Sequence, residues 1–204
     1  MKNLIYLDYC ATTPVHPSVK KAMSKTLDAA FGNPSSMHQA GITAMNLLNE
    51  ARSFVASGIG SDPDEIYFTS GATEADNLAL YGIMHQFTPE NGHLITSSVE
   101  HHAILHPAQQ LESEGYDVTY LPVNSSGIIN PQDLVNAIKP KTKLVSIMMV
   151  NNEVGSIQKI KEIGNITSEH EILFHTDAVQ GMSLFDIDVT LSNVDLLSLS
   201  AHKI

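Results

Sequence analysis

The chain has 204 residues, 43% of them hydrophobic, and a formal net charge of -11 from 11 basic and 22 acidic side chains. The apolar share supports a substantial core and argues against wholesale disorder, while the acidic balance argues against a general binder of nucleic acid or of anionic membranes, because nothing offsets phosphate repulsion. A single cysteine, Cys10, rules out an internal disulfide and a multi-cysteine metal site. No run approaches the roughly 20 apolar residues of a membrane span. The opening "MKNLIYLDYC" has one lysine and an Asp within a short apolar stretch, unlike a secretory signal, so a cytoplasmic protein is expected.

Residues 1–15 read as an N-terminal segment, and 16–204 as part of one α/β domain. "PSVKKAMSKTLDAAFG" predicts a helix with Val19, Met23, Leu27 and Ala30 on one face, stopping at Gly32-Asn33-Pro34. "AGITAMNLLNEARSFVASG" predicts a second, with Ala44, Leu47, Leu48, Ala51 and Val55 inward. "EIYFTS" reads as a buried strand, followed by a helix from about Thr73 to His85. "HLITSS" is a strand, and "AILHPAQQLESEG" a helical pattern interrupted by Pro107. "YDVTYLPV" alternates like a strand. "NPQDLVNAIKP" places Asn130 as N-cap and Pro131 at the first helical position. "KLVSIMMVN" is apolar enough to be buried on both faces. "ITSEHEI" closes a short helix, and "ILFHTDA" and "VDLLSLS" are two more strands. Such alternation predicts a mostly parallel sheet flanked by helices on both sides.

In open α/β sheets ligands bind at the carboxyl ends of the strands, and here each predicted end delivers useful polar groups: Gly71, Ala72 and Thr73; Glu100 and His101; Asn151 and Asn152; Asp177 and Gln180; His202 and Lys203. "TSGATEADN" enters a helix through one glycine, which suits phosphate binding by free N–H groups with help from Ser70 and Thr73; plain capping by those hydroxyls is the alternative. It is neither a Walker loop nor a dinucleotide fingerprint. Asp177, after an apolar run, needs a cation: a protonated pyridine nitrogen, or a structural Arg or Lys. Lys203 suits a Schiff base with an aldehyde cofactor if desolvated, and is otherwise a solvated lysine. His101 suits ring stacking or proton transfer, with a satisfied core histidine as its rival. His102 and His106 are four apart, but no third metal ligand accompanies them. Cys10 has no base beside it in sequence and reads as an inert small residue.

From "YLDYCATTP" through "FGNPSSMHQAG", "IYFTSGATEADNLAL", "SSVEHHAI", "LVSIMMVNNEVGSIQ" and "HTDAVQG" to "SLSAHK", the chain resembles the pyridoxal-phosphate-dependent cysteine desulfurases of the class V aminotransferase-like group. The resemblance implies the large domain of the fold type I transferases, with pyridoxal 5'-phosphate as cofactor. It matches Lys203 to the cofactor's lysine, Asp177 to the aspartate on the pyridine nitrogen, and His101 to the histidine on the ring, also an acid/base. It matches Ala72 and Thr73 to the phosphate turn, Ser200 and His202 to phosphate contacts beside the lysine, and Asn152 and Gln180 to residues near the ring and its 3-oxygen. It implies removal of sulfur from L-cysteine to give alanine and an enzyme persulfide, delivery to a sulfur-acceptor protein of iron–sulfur cluster assembly or tRNA thiolation, and a homodimer at full length.

Three departures stand out. Cys10 replaces an alanine of the usual "Y-A-A-T-T-P", and Ala201 replaces the glycine of "S-G-H-K". The family is also about twice as long. The rest of the large domain, the small C-terminal domain, the persulfide cysteine and the substrate-gripping arginine are expected outside these residues, so the 204 residues alone are expected not to turn over cysteine. A selenocysteine lyase or another class V aminotransferase are the alternatives, as is a non-catalytic piece acting as a scaffold; "GNPSSMHQAG" and "NNEVGSIQ" favour the desulfurase. Cys10→Ala is expected to leave cofactor uptake unchanged, measured by absorbance titration with pyridoxal phosphate; lost uptake would give the thiol a role.

Overall fold

The computed structural model describes residues 5–204, so the first four residues of the predicted N-terminal segment lie outside it. The chain divides into two compact units. One runs to Phe68 and includes Asp186–Asp188; the other comprises Thr69–Phe185 and Val189–Ile204.

The first unit is built on two helices, α1 (Pro17–Ala29) and α2 (Gln39–Ile59). Both start on histidine caps. His16 Nδ1 accepts the Ser18 N–H, and His38 Nδ1 accepts the Gly41 N–H, each at 3.3 Å. The α2 C-cap, Gly60, has φ +70°, a left-handed conformation that glycine adopts without a Cβ penalty. The predicted α1 face forms but is not buried: Val19, Met23 and Leu27 are 47%, 56% and 78% exposed, because no described element covers them. On α2, Ala44 is buried and Leu47, Leu48 and Val55 are half-buried, but Ala51 is exposed, correcting its inward placement. "EIYFTS" is not a strand. A 3-10 turn over Pro63–Glu65 leads into unpaired backbone, with Tyr67 and Phe68 exposed. β-propensity there has no neighbouring strand among the described residues on which to act. Arg52, the sole arginine, donates to the Ile66 carbonyl and lies over the Phe68 ring at 5.1 Å. An open depression lined by Pro34, Met37, Ile42 and Met45, of about 370 Å³, also belongs to this unit and includes none of the candidate residues.

The second unit holds the sheet. Strands β1 (His93–Ser97), β2 (Asp117–Leu121), β3 (Thr142–Ser146), β4 (Leu173–Asp177) and β5 (Leu196–Ser198) are arranged in the order β2-β1-β3-β4-β5. All four pairings are parallel. The expected parallel α/β sheet is present, and β1 is buried at every position. Register partners Leu94 and Leu144 point to one face, and partners Ile95 and Val145 to the other. All four are fully buried, so both faces are covered.

Helices α3 (Ala72–Met84), α4 (His102–Ser113), α5 (Pro131–Ala137) and α6 (Ile160–Glu169) flank the sheet. One core cluster joins Leu80 and Met84 of α3, Ile104 and Leu111 of α4, Leu94 of β1 and Leu144 of β3. Helix α5 starts as expected, with Asn130 Oδ1 accepting the Gln132 N–H at 3.2 Å and Pro131 in the first turn. Helix α4 continues through Pro107. The proline has no N–H for the Ala103 carbonyl, and Asn77 Nδ2 from α3 supplies a donor to that carbonyl at 3.4 Å. Gly181 lets the chain after β4 pass Met149, since a Cβ there would stand 2.4 Å from the sulfur.

Leu80→Ala is expected to cost about 2–5 kcal/mol, through lost burial and a residual cavity. Leu78→Ala, on the exposed side of α3, should stay within about 0.5 kcal/mol. Urea unfolding of the two variants checks the pair; equal costs would contradict this packing.

Candidate functional site

The carboxyl ends of the parallel strands place the candidate residues. After the unpaired segment ending at Ser70, Gly71 caps α3 with extended backbone and no side-chain cap. A Cβ built on Gly71 meets nothing within 4 Å, so the turn opens onto free space. The hydroxyl expected to cap or to bind phosphate is otherwise engaged: Ser70 Oγ and N–H both donate to Glu74 Oε2 at 2.6 Å. Thr73 is exposed and Ala72 half-buried. The first N–H groups of α3 therefore keep their anion-attracting character without competition from a capping side chain.

At the end of β1, His101 is the N-cap of α4. Its Nδ1 accepts the Ala103 N–H at 3.1 Å, which leaves the proton of the neutral ring on Nε2. The ring is exposed, so the core-histidine alternative does not hold. Glu100, one residue earlier, is buried. It accepts the Ser97 hydroxyl at 2.5 Å and the Met148 N–H on both oxygens at 3.0 Å, tying the exit of β1 to the exit of β3. Burial pushes its carboxyl up to about 8, against those hydrogen bonds, with Asp177 and Asp76 adding like-charge repulsion.

Asn151 and Asn152 divide the work at the β3 end. Asn151 is structural: Nδ2 donates to the Val99 carbonyl at 2.8 Å, and Oδ1 accepts the N–H groups of Glu153 and Val154 at 2.9 Å. Asn152 is half-buried and donates to Glu153 Oε1 at 2.7 Å.

Asp177 ends β4 and is 5% exposed. Oδ1 accepts the Val179 N–H at 2.9 Å, which orients the carboxylate. Burial raises its pKa; the Val179 bond and the charges of His101 and Lys203 act in the opposite direction. The residues at the ends of β1 and β4 and beyond β5 are thus close enough to feel one another electrostatically. Gln180 is half-buried just past Asp177. Beyond β5, Ser200 is buried and opens a 3-10 turn over Ala201–Lys203, with the Lys203 N–H bonded to the Ser200 carbonyl at 3.2 Å. His202 is exposed and Lys203 half-buried.

A model of the aminotransferase class-V family matches residues 5–204. The chain belongs to the class-V aminotransferase family. Within that family it is 50% identical over 199 residues to the cysteine desulfurase IscS of Methanosarcina thermophila, covering 98% of this chain and 49% of that protein. It is 49% identical over 201 residues to the mitochondrial cysteine desulfurase of Candida maltosa, covering 98% of this chain and 42% of that protein. The solved structure of SspA in complex with cysteine superposes with a TM-score of 0.95 at 47% identity, over 98% of this chain and 57% of that one. The chain thus spans about half the length of the curated relatives it matches. No helix among the described residues is long and apolar enough to cross a membrane.

The family's cofactor is pyridoxal phosphate, and the donor set fits it. The site combines a helix start with no side-chain cap, an exposed imidazole, an amine on a half-buried lysine, and a buried carboxylate held by a backbone N–H. That carboxylate calls for a cation or a donor, and a pyridinium N–H is one that would suit it. Two acids at this site were not singled out as site residues from sequence. Glu100 was seen only as a strand-end residue, and Asp76 not at all. Asp76 falls on the stripe of α3 shared with Ala79, Leu80 and Met84, and that spacing was its signal.

Glu100 yields a pH prediction. Its folded pKa lies above the ordinary carboxylate value of 4.5, so the folded state holds a proton that the unfolded state has released between about 4.5 and about 8. Stability contributed by this group falls as pH rises through that window. Glu100→Gln should remove that part of the fall, seen as a shallower decline in urea stability from pH 5 to 8. Parallel curves for parent and variant would contradict it.

Proposed function

We propose that these 204 residues form the cofactor-binding part of a cysteine desulfurase, which removes sulfur from L-cysteine with pyridoxal 5'-phosphate, yielding alanine and a persulfide on the enzyme. The observation that carries it is the buried Asp177 carboxylate at the end of β4, within electrostatic reach of His101 and Lys203 from two other strand ends. The 50% identical relative named as a cysteine desulfurase and the cysteine-bound structural neighbour support the same substrate.

When bound, pyridoxal phosphate supplies an electron sink for the bonds at the amino acid's α-carbon. The chain's own residues do the rest. The α3 turn at Ala72 and Thr73 would hold the phosphate with backbone N–H groups, and Ser200 and His202 would add contacts from the turn that carries Lys203. Asp177 would hold the ring nitrogen protonated, because its buried carboxylate is more stable beside a cation than alone. Asn152 and Gln180 would contact the ring and its 3-oxygen. His101 would stack on the ring, with Nε2–H available to give or take a proton. Lys203 would anchor the cofactor through its amine and serve as the acid/base for the α-proton.

Arg52 is committed to the Ile66 carbonyl and the Phe68 ring and is not offered as the group that grips the substrate carboxylate. That arginine, the persulfide cysteine, the sulfur-acceptor protein and the homodimer belong to the proposed whole enzyme, set in the cytoplasm. The 204 residues alone are proposed not to release sulfide from cysteine.

Borohydride reduction of the chain with pyridoxal phosphate, followed by peptide mapping, should label Lys203 at least about tenfold more than any other lysine. Even labelling across the surface lysines would contradict the assignment.

A further inference from the structure

Asp76 sits one turn into α3 and is 0% exposed. Neither of its carboxylate oxygens has a hydrogen-bond partner. Its nearest basic group is His175 Nε2, 3.6 Å from Oδ1, beyond hydrogen-bond reach. His175 cannot serve as its counter-ion. Both ring nitrogens are taken by hydroxyls, Ser146 Oγ at 2.9 Å from Nδ1 and Ser198 Oγ at 3.0 Å from Nε2, and burial holds the imidazole neutral, with a pKa near 3. A buried carboxyl group with no donor and no cation is costly and requires a reason for its presence.

The neighbour is Asp177. His175 and Asp177 lie on the same strand and, two residues apart, point to the same face of the sheet. Ser198, which bonds His175, is the β5 register partner of Asp177. Burial and then the charge of Asp177 push the Asp76 carboxyl up to about 7, and the Ser198 hydroxyl offsets part of this without reaching hydrogen-bond geometry. Glu100 completes a trio of buried acids that repel one another. Against them stand His101 and Lys203, which act on Asp177. The same helix starts at the turn proposed for the phosphate, so α3 carries both that turn and Asp76.

We propose that Asp76 is a positioning residue for the pyridine end of the site: a second, buried carboxyl behind Asp177 whose charge rises when a cation docks on Asp177, and which thereby raises the proton affinity of the bound cofactor. The proposal rests on the assignment of Asp177 to the pyridine nitrogen. The coupling is reciprocal, as linkage requires. A pyridinium at Asp177 favours the ionised form of Asp76, and an ionised Asp76 favours the protonated cofactor. Asp76→Asn keeps the shape and removes the charge.

The test is a pH titration of the visible absorbance of pyridoxal phosphate bound to the 204-residue chain, in the parent and in Asp76→Asn, with circular dichroism to confirm equal folding. The expected result is binding in both, with the variant's midpoint lower by about one pH unit, the size of one near charge lost. Binding in both with unchanged midpoints would overturn the proposal while leaving the Asp177 assignment intact. A parent that takes up no cofactor at Lys203 would overturn both. A second readout needs no variant. With aspartate carboxyl carbons labelled with carbon-13, two resonances should titrate above the ordinary aspartate range, and both should move to lower pH when pyridoxal phosphate is added. Movement of one alone would contradict the coupling.

Discussion

Buried carboxyl groups without a resident cation are the constraint on which the site is built. Asp177, Asp76 and Glu100 all lie within the second unit at 5% exposure or less. A buried base close to them, His175, is held neutral by burial, with both ring nitrogens bonded to serine hydroxyls. Removing a carboxylate from water is costly unless it is paired or protonated, so this arrangement is favourable only when positive charge arrives from the open side. Lys203 supplies some of it, and a pyridinium ring would supply the rest. An electrostatic deficit of this kind suits a flat cationic ring, the partner proposed for Asp177.

The parallel sheet makes the deficit possible. Its strands are buried on both faces, and their exits are held by short-range devices: Glu100 between β1 and β3, Asn151 across to Val99, and the Ser146–His175–Ser198 chain across β3, β4 and β5. Each lies beside a candidate residue in the chain and uses polar groups other than that residue's own. His101 is oriented by its capping role, and Asp177 by the Val179 N–H. The polar groups that define geometry are mostly not those offered for chemistry.

Much of this was legible in the sequence because it follows from local rules. The apolar runs "HLITSS", "KLVSIMMVN" and "ILFHTDA" are strands, Asn130-Pro131 starts a helix, and the residues after the runs stand where an α/β sheet places its ligand groups. What was not legible depends on tertiary partners. "EIYFTS" has strand propensity but no strand beside it among the described residues. The α1 stripe of Val19, Met23 and Leu27 has the right period but nothing covering it among the described residues. Pro107 left the start of its helix undetermined, because the Asn77 amide that relieves it comes from another helix. Asp76 stands among Glu74 and Asn77 and reads as part of a polar face, although its spacing places it inward.

The central claim is that Asp177 is buried for a ring nitrogen that carries a proton. Comparing the affinity of the chain for pyridoxal phosphate with that for the analogue bearing C–H in place of the ring nitrogen isolates that contact. A site built around a buried polar partner rejects the analogue lacking it. The account predicts binding of the natural cofactor at least about tenfold tighter, about 1.4 kcal/mol, with the difference abolished in Asp177→Asn. Equal affinity for the two compounds in the parent chain would contradict it.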